Sequence, residues 1–415
     1  MQLRSILMVA VSALGADAQT PRSGLRELIS EALHNNPEVL AAQKNYEVAR
    51  QRPTEQSSLP DPILSLGYTS VGNPLPVAGI GHQLLANAGV MVSQEVPFPG
   101  KLKLQGDMAA KDAEAVFEQY QAVQLDVVSR VKAAYHRWHH NHVETEVLAR
   151  NRELLDRLLK VTEIRYSVGK AAQQDLFKAQ TQISILETRL IKLDQERRSL
   201  EAAINSLTGK PAGSRLSDPE EVRTPEFTAS LEELFAAARA NSPLLRRDQK
   251  IIERAELTVN AARKEYYPDF TLNAGYYNSG SMPPMYVVRA DVKLPVYFWR
   301  KQRAEVNEKV SSLSETRKNY EAAGQDLQSK ITDAFLMAQA SAKLMTLYNQ
   351  TIVPQGSLAL ESSLAAYESG SVDFLSVLTN FTTVLDFEMA YHEESLNYTL
   401  AVIQLEDLTG QSLTD

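Results

Sequence analysis

The ten residues Tyr135 to Glu144, YHRWHHNHVE, hold four of the chain's seven histidines. His136, His139 and His140 follow the i, i+3, i+4 spacing that places side chains on one face of a helix. Imidazoles in that pattern could hold zinc. A zinc site, however, needs three or four converging ligands and a supporting shell of hydrogen bonds. The only nearby carboxylate is Glu144, four residues after His140. The expectation is a solvated or inter-helix polar face, with no bound metal and no cofactor. The chain has no cysteine, which removes disulfides, thiolate zinc sites and lipidation on an N-terminal cysteine. It shows no glycine-rich phosphate loop and no histidine paired with a nucleophile in a recognisable frame, so it is not expected to be an enzyme.

The elements that would position these histidines come from the rest of the chain. At 415 residues it could hold two or three ordinary domains. A net charge of -8 without a basic patch makes nucleic acid an unsuitable partner. Residues 1–18 have the form of a secretory signal: Arg4, an apolar run from Ser5 to Leu14, and the small-x-small pattern Ala16-Asp17-Ala18. No later segment offers about 18 consecutive apolar residues, so no transmembrane helix is expected. The expectation is an exported protein that no helix anchors.

The sequence also repeats itself. ISEALHNNPEVLAAQ (29–43) resembles LFAAARANSPLLRRD (234–248), and SLPDPILSLGYTS (58–70) resembles YYPDFTLNAGYYN (266–278). SQEVPFPGK (93–101), RYSVGK (165–170) and INSLTGK (204–210) find counterparts in DVKLPVYFW (291–299), AYESGS (366–371) and LEDLTGQ (405–411). Five matches in one order indicate a duplicated half-molecule. Pro60 and Pro268 are 208 residues apart but Pro97 and Pro295 only 198, so the first copy carries ten extra residues, placed in the loop Gly72 to Asn87. A period near 200 is too long for a solenoid.

Each half predicts one plan. A first repeat over 19–211 and a second over 230–412 flank a linker at 212–229. A helix spans roughly 23–57, or 230–264, and ends at a Pro-Asp turn. Strands follow at about 62–72 and 88–97, or 269–279 and 285–296. Long helices then cover about 100–166 and 170–207, or 301–367 and 372–409. The strands alternate: Tyr286, Val288, Ala290, Val292 and Leu294 are apolar, while Arg289, Asp291 and Lys293 lie between them. This pattern fits a sheet between core and water, and equally a membrane barrel with a wet lumen. Phe98, Tyr266, Tyr267, Tyr297, Phe298 and Trp299 cluster at the strand ends on the helix side, where a membrane girdle would lie; the alternative is a plug between helices and sheet. Together with export, the girdle favours the barrel. Four strands cannot close one, since small barrels need about eight, so several chains must combine. From Val310 the long helix shows a 3.5-residue stripe diluted with small and polar residues. A helix over 301–366 would reach ~100 Å, a length no globular core uses.

The ordered set of motifs resembles the TolC-like outer-membrane factors, exit ducts of tripartite efflux pumps. The likeness covers about 23–412 and rests on the duplication, the Pro-Asp turns before the strands, Tyr-x-x-Gly near the end of each long helix, and SLTG and DLTG closing the halves. Residues 265–303 look most like the cobalt–zinc–cadmium efflux branch. The resemblance implies a mainly α fold with a small β part. Three chains would form a trimeric α-barrel of coiled hairpins and a 12-stranded transmembrane β-barrel in the outer membrane, extending into the periplasm. It implies a passive homotrimeric channel for metal ions or small toxic molecules, served by a periplasmic adaptor and an inner-membrane RND-type transporter and surrounded by outer-membrane lipid. It places Tyr166, Gly169, Asp175, Tyr367, Gly370 and Asp373 at a periplasmic gate. This chain departs from the family where an arginine and two acidic residues are common, having Val372, Ser376 and Thr379. Two rivals stand beside this reading. One is a periplasmic adaptor or coiled-coil scaffold, which needs only one hairpin; the other is a helical metalloenzyme, which would carry about one metal per chain.

Overall fold

A computed structural model describes residues 24–71, 75, 77–83, 85–220 and 227–413. The expected signal segment 1–18 and parts of the expected linker and first loop lie outside the described residues. The first half runs α1 (Leu25–Asn35), α2 (Pro37–Ala49), α3 (Arg52–Ser57), β1 (Ile63–Thr69), β2 (Asn87–Val96), α4 (Lys101–Ser167) and α5 (Gln173–Leu207). The second runs α6 (Leu231–Asn241), α7 (Pro243–Lys264), β3 (Asp269–Asn278), β4 (Met285–Lys293), α8 (Lys301–Leu347), a π turn (Tyr348–Ile352), α9 (Val353–Ser369) and α10 (Phe374–Thr409).

The single helices expected over 23–57 and 230–264 are broken. A proline cannot continue a helix from its preceding turn but suits the first position of a new one. Pro37 and Pro243 therefore each open a helix behind a residue in extended conformation, Asn36 and Ser242. The helix expected over 301–367 is also interrupted. Pro354 sits in the first turn of α9 and has no N–H to donate, and a π turn precedes it. The matching α4 runs 67 residues unbroken, or ~100 Å at the α-helical rise.

The four strands form one antiparallel sheet in the order β1-β2-β3-β4. Register fixes which side chains share a face. Leu64, Val92, Ala274 and Val288 form one rung, and Leu66, Val90, Tyr276 and Tyr286 another. Ser93, Asn273 and Arg289 form a rung of the opposite face, with Glu95, Thr271 and Asp291 beside it.

Core packing follows the duplication. Leu28, Ala32, Val131, Ala134 and Ile204 are buried together in the first half; Leu234, Ala238, Ile331, Ala334 and Leu405 repeat that arrangement in the second. A third cluster, including Leu148, Leu155, Leu186, Tyr367, Phe374 and Phe381, unites the far ends of both hairpins. Among the described residues no helix is long and apolar enough to cross a membrane.

Candidate functional site

Among the described residues nothing packs on the apolar face of the sheet. Val288 is 89%, Leu66 78% and Tyr286 73% exposed. The opposite face is a hydrogen-bonded polar surface. Ser93 Oγ donates to Asn273 Oδ1 (2.6 Å), Asn273 Nδ2 donates to Asp291 Oδ2 (2.9 Å), and Arg289 meets Asp291 at 3.0 Å. One face is thus suited to hydrocarbon and the other to water. Strands β1 and β4 are edges, and each has a strand on one side only.

The structure brings the six aromatic residues together where the sheet meets the helices. Phe98 and Tyr267 stack at 4.5 Å, with Lys264 Nζ 5.6 Å and 5.4 Å from the two ring centres. Phe298 lies 6.5 Å from Tyr266 and 5.1 Å from Trp299, which is 6.2 Å from Tyr297. A buried tie that sequence reading missed fixes this junction. Lys101 contacts Asp269 (2.9 Å) and Glu265 (3.1 Å), and Asp269 also accepts the Phe98 N–H at 2.9 Å. The start of α4 is thereby bound to the start of β3.

At the opposite end each hairpin turns through a left-handed glycine, Gly169 at φ 75° and Gly370 at φ 84°. The bonding is the same in both. Gly169 N–H donates to Tyr166 O (2.9 Å) and Lys170 N–H to Arg165 O (2.7 Å); Gly370 N–H donates to Tyr367 O (3.0 Å) and Ser371 N–H to Ala366 O (2.8 Å). This closes the last helical carbonyls, and a side chain at the glycine would be strained.

The remaining tip residues separate into two groups. Tyr367 is only 3% exposed, with its ring 5.8 Å from Phe374 and its hydroxyl 3.4 Å from Thr162 Oγ1. The Arg165 guanidinium lies 4.6 Å from the Tyr367 ring centre and donates to Tyr367 O (2.6 Å) and Glu368 O (2.9 Å). A cation at the negative end of α9, stacked on its last aromatic ring, is favourable twice over. Asp175, Asp373, Ser376 and Thr379 do not join this clamp. Asp175 accepts the Ala172 N–H at 3.3 Å. Asp373 caps α10 by accepting the Ser376 hydroxyl and then the Ser376 N–H (3.1 Å), which in that order hold its carboxyl below the usual range. Thr379 bonds back to Leu375 O (2.9 Å) in its own helix. Tyr166 is exposed. Arg165 stands inside the RYSVGK motif without a local mark of this role, since the resemblance points to an arginine after the second glycine, where this chain has Val372.

The histidines lie midway along α4. Burial, then the nearby His139 and Lys132, lower His136 to about 4 against a smaller opposing pull from Glu406. His140 meets Glu144 at 3.3 Å and His142 meets Glu146 at 3.4 Å, both within α4. His392 of α10 comes near His140, Arg150, Glu144 and His139, and burial is the main cause of its lowered pKa. Among the described residues no three His, Asp or Glu converge on a metal-sized point.

Comparison with known proteins agrees with this architecture. The family model for the outer membrane efflux protein matches residues 28–210 and 234–411, one block per half. Outer membrane protein TolC of Vibrio cholerae is 24% identical over 402 residues, covering 93% of this chain and 90% of that protein. Cobalt-zinc-cadmium resistance protein CzcC of Cupriavidus metallidurans is 21% identical over 228 residues, 55% of this chain and 54% of its own. The solved structure of CusC superposes with a TM-score of 0.80 at 17% identity, covering 95% of this chain and 96% of its own. The two matched blocks coincide with the two halves built from helices, strand pair and hairpin, and the chain belongs to the outer membrane efflux protein family.

Proposed function

We propose that three copies of this chain assemble into one passive duct across the outer membrane and periplasm. The observation that carries this reading is the four-stranded sheet with two unpaired edges and an uncovered apolar face. An open edge exposes N–H and C=O groups, which hydrocarbon does not tolerate. Pairing β4 of one chain with β1 of the next removes every edge, and three chains give twelve strands. Leu66, Val92, Tyr286 and Val288 then face lipid, while Glu95, Arg289, Asp291 and Lys293 line the water-filled lumen. The aromatic cluster around Phe98, Tyr266, Tyr267, Tyr297, Phe298 and Trp299 forms the periplasmic girdle. The hairpins extend away from it, and the turns at Gly169 and Gly370 are the periplasmic tip, where Arg165 and Tyr367 hold the two hairpins of one chain together.

A periplasmic adaptor grips that tip and an RND-type inner-membrane transporter supplies the energy. The name of CzcC supports a place in the heavy-metal branch. A lumen lined by charges of both signs assigns cargo selection to those upstream partners. An adaptor or scaffold reading leaves the duplicated hairpin and the bare sheet face without a purpose. Membrane fractionation with heat-modified gel mobility tests the reading. A detergent-resistant trimer in the outer-membrane fraction is expected, and a soluble periplasmic monomer would overturn it.

A further inference from the structure

The two halves differ where the closing end of each hairpin docks on the break between two short helices. Gly209, ending α5, lies against Asn35 O; Gly410, ending α10, lies against Asn241 O. In the first half Asn36 seals this joint. Its Oδ1 accepts the Glu38 and Val39 N–H groups (2.8 and 3.3 Å), and its Nδ2 donates to Leu207 O (3.0 Å). The residue in that place in the second half is Ser242, with a hydroxyl in place of the carboxamide. Ser242 is 3% exposed, makes no capping bond to α7, and its hydroxyl has no partner among the described residues.

Beside it opens a cavity of about 290 Å³, whose lining includes Ser242, Leu244, Leu327 and Leu408 together with Glu38, Asp126 and Asp407. The charges there are unbalanced. Arg130 pairs with Glu38 (2.5 Å) and Asp126 (3.0 Å) at the rim. Asp407 has neither a hydrogen bond nor an ion pair among the described residues. Burial, and then Asp126, push its carboxyl up to about 6. Asp126 has Arg130 as its counter-charge, so the uncompensated charge is that of half-buried Asp407. An anion would worsen that deficit, and a neutral ligand would leave it. Calcium or magnesium requires about six converging oxygen ligands, and among the described residues no three carboxylates or histidines are grouped to hold a metal ion.

We propose that this cavity binds an organic ammonium cation, with its charge at Asp407 and Asp126 and its apolar body against Leu244, Leu327 and Leu408. The Ser242 hydroxyl accepts one ammonium N–H. The volume falls near the lower end of small-molecule sites. The first half does not repeat these groups: Asn36 bonds across the joint, and Ser206 stands where the second half has Asp407. The proposal does not depend on the duct reading, since every wall residue comes from one chain.

The test uses the full-length protein purified in detergent at pH 7.5, with 2-phenylethylammonium as probe and 2-phenylethanol as its uncharged counterpart. Saturation-transfer NMR titration gives the Kd. Saturable binding of the ammonium is expected, weakened at least tenfold by Asp407→Asn and by Ser242→Asn, with the alcohol at least tenfold weaker than the ammonium on the wild-type protein. Asp407→Asn keeps the shape of the cavity, so its readout stands even if Ser242→Asn fails to assemble. Failure of the wild type to saturate, equal affinity in wild type and Asp407→Asn, or equal binding of the alcohol would overturn the proposal.

Discussion

Each half gives two strands to the sheet, and there the halves are interchangeable. Leu64 and Val92 from the first stand in one rung with Ala274 and Val288 from the second. Along the helices the halves diverge. The unbroken α4 faces a counterpart interrupted before Pro354. The joint sealed by Asn36 faces one left open by Ser242. Arg165 reaches across to clamp Tyr367, whereas Ala366, its counterpart in the repeat, has nothing to return. The difference has a physical source. Lipid and water make the same demand on every strand, so both halves keep one alternation. A helix must fit one particular neighbour, and after duplication the two neighbours are no longer alike.

The largest effect should come where the halves are equivalent. Leu66→Lys in the first half and Val288→Lys in the second each place a charge on the lipid face, at a cost of ~2–4 kcal/mol near the midplane. Both should abolish the membrane-inserted trimer, as should Val292→Lys, while Asp291→Lys on the polar face should assemble. Gel mobility of the outer-membrane fraction reads this; tolerance of the lipid-face lysines equal to that of Asp291→Lys would refute the barrel.

A second prediction concerns acid. Folded His136 titrates near 4, below its ordinary 6.5, mainly through burial. Between those values the unfolded chain holds a proton that the folded chain refuses. Stability is therefore complete above pH 6.5 and declines as pH falls toward 4, by up to roughly 3 kcal/mol. The second half has Leu336 at this place. In His136→Gln the trimer should still assemble, and the fall in melting temperature between pH 6.5 and 4 should shrink. An unchanged slope would assign the acid sensitivity elsewhere.

The two joints give a smaller contrast. Asn36→Ala removes a cap and should cost about 1 kcal/mol. Ser242→Ala removes a hydroxyl that caps nothing and should cost only a few tenths. Urea unfolding of the two variants would expose an error if their midpoints shift equally.

The smallest effect is at the tip. Tyr367→Phe removes a long hydroxyl contact to Thr162, worth about 1 kcal/mol or less. It should raise single-channel conductance in planar bilayers without lowering trimer yield, and Arg165→Ala should raise it further. Wild-type conductance in both variants would place the gate outside this clamp.

The duplication, the four alternating strands, the polar–apolar division of their faces and the left-handed turns at Gly169 and Gly370 were all legible in the chain. These depend on neighbours in sequence: alternation needs only a period of two, and a tight turn needs only a glycine. The breaks at Pro37 and Pro243 are also marked there, by a polar residue followed by proline, although the pattern on either side predicts single helices. Other features carry no local signature. Arg165 meets Tyr367 across some two hundred residues, Lys101 meets Asp269, His392 approaches His140, and a cavity opens behind Ser242. Whether such pairs meet depends on the rotational phase of one helix against another, accumulated over tens of residues and shifted by a single π turn. Sequence therefore determined the elements and their repetition. Only the tertiary packing decided which side chains of the two halves meet and where a joint stays open.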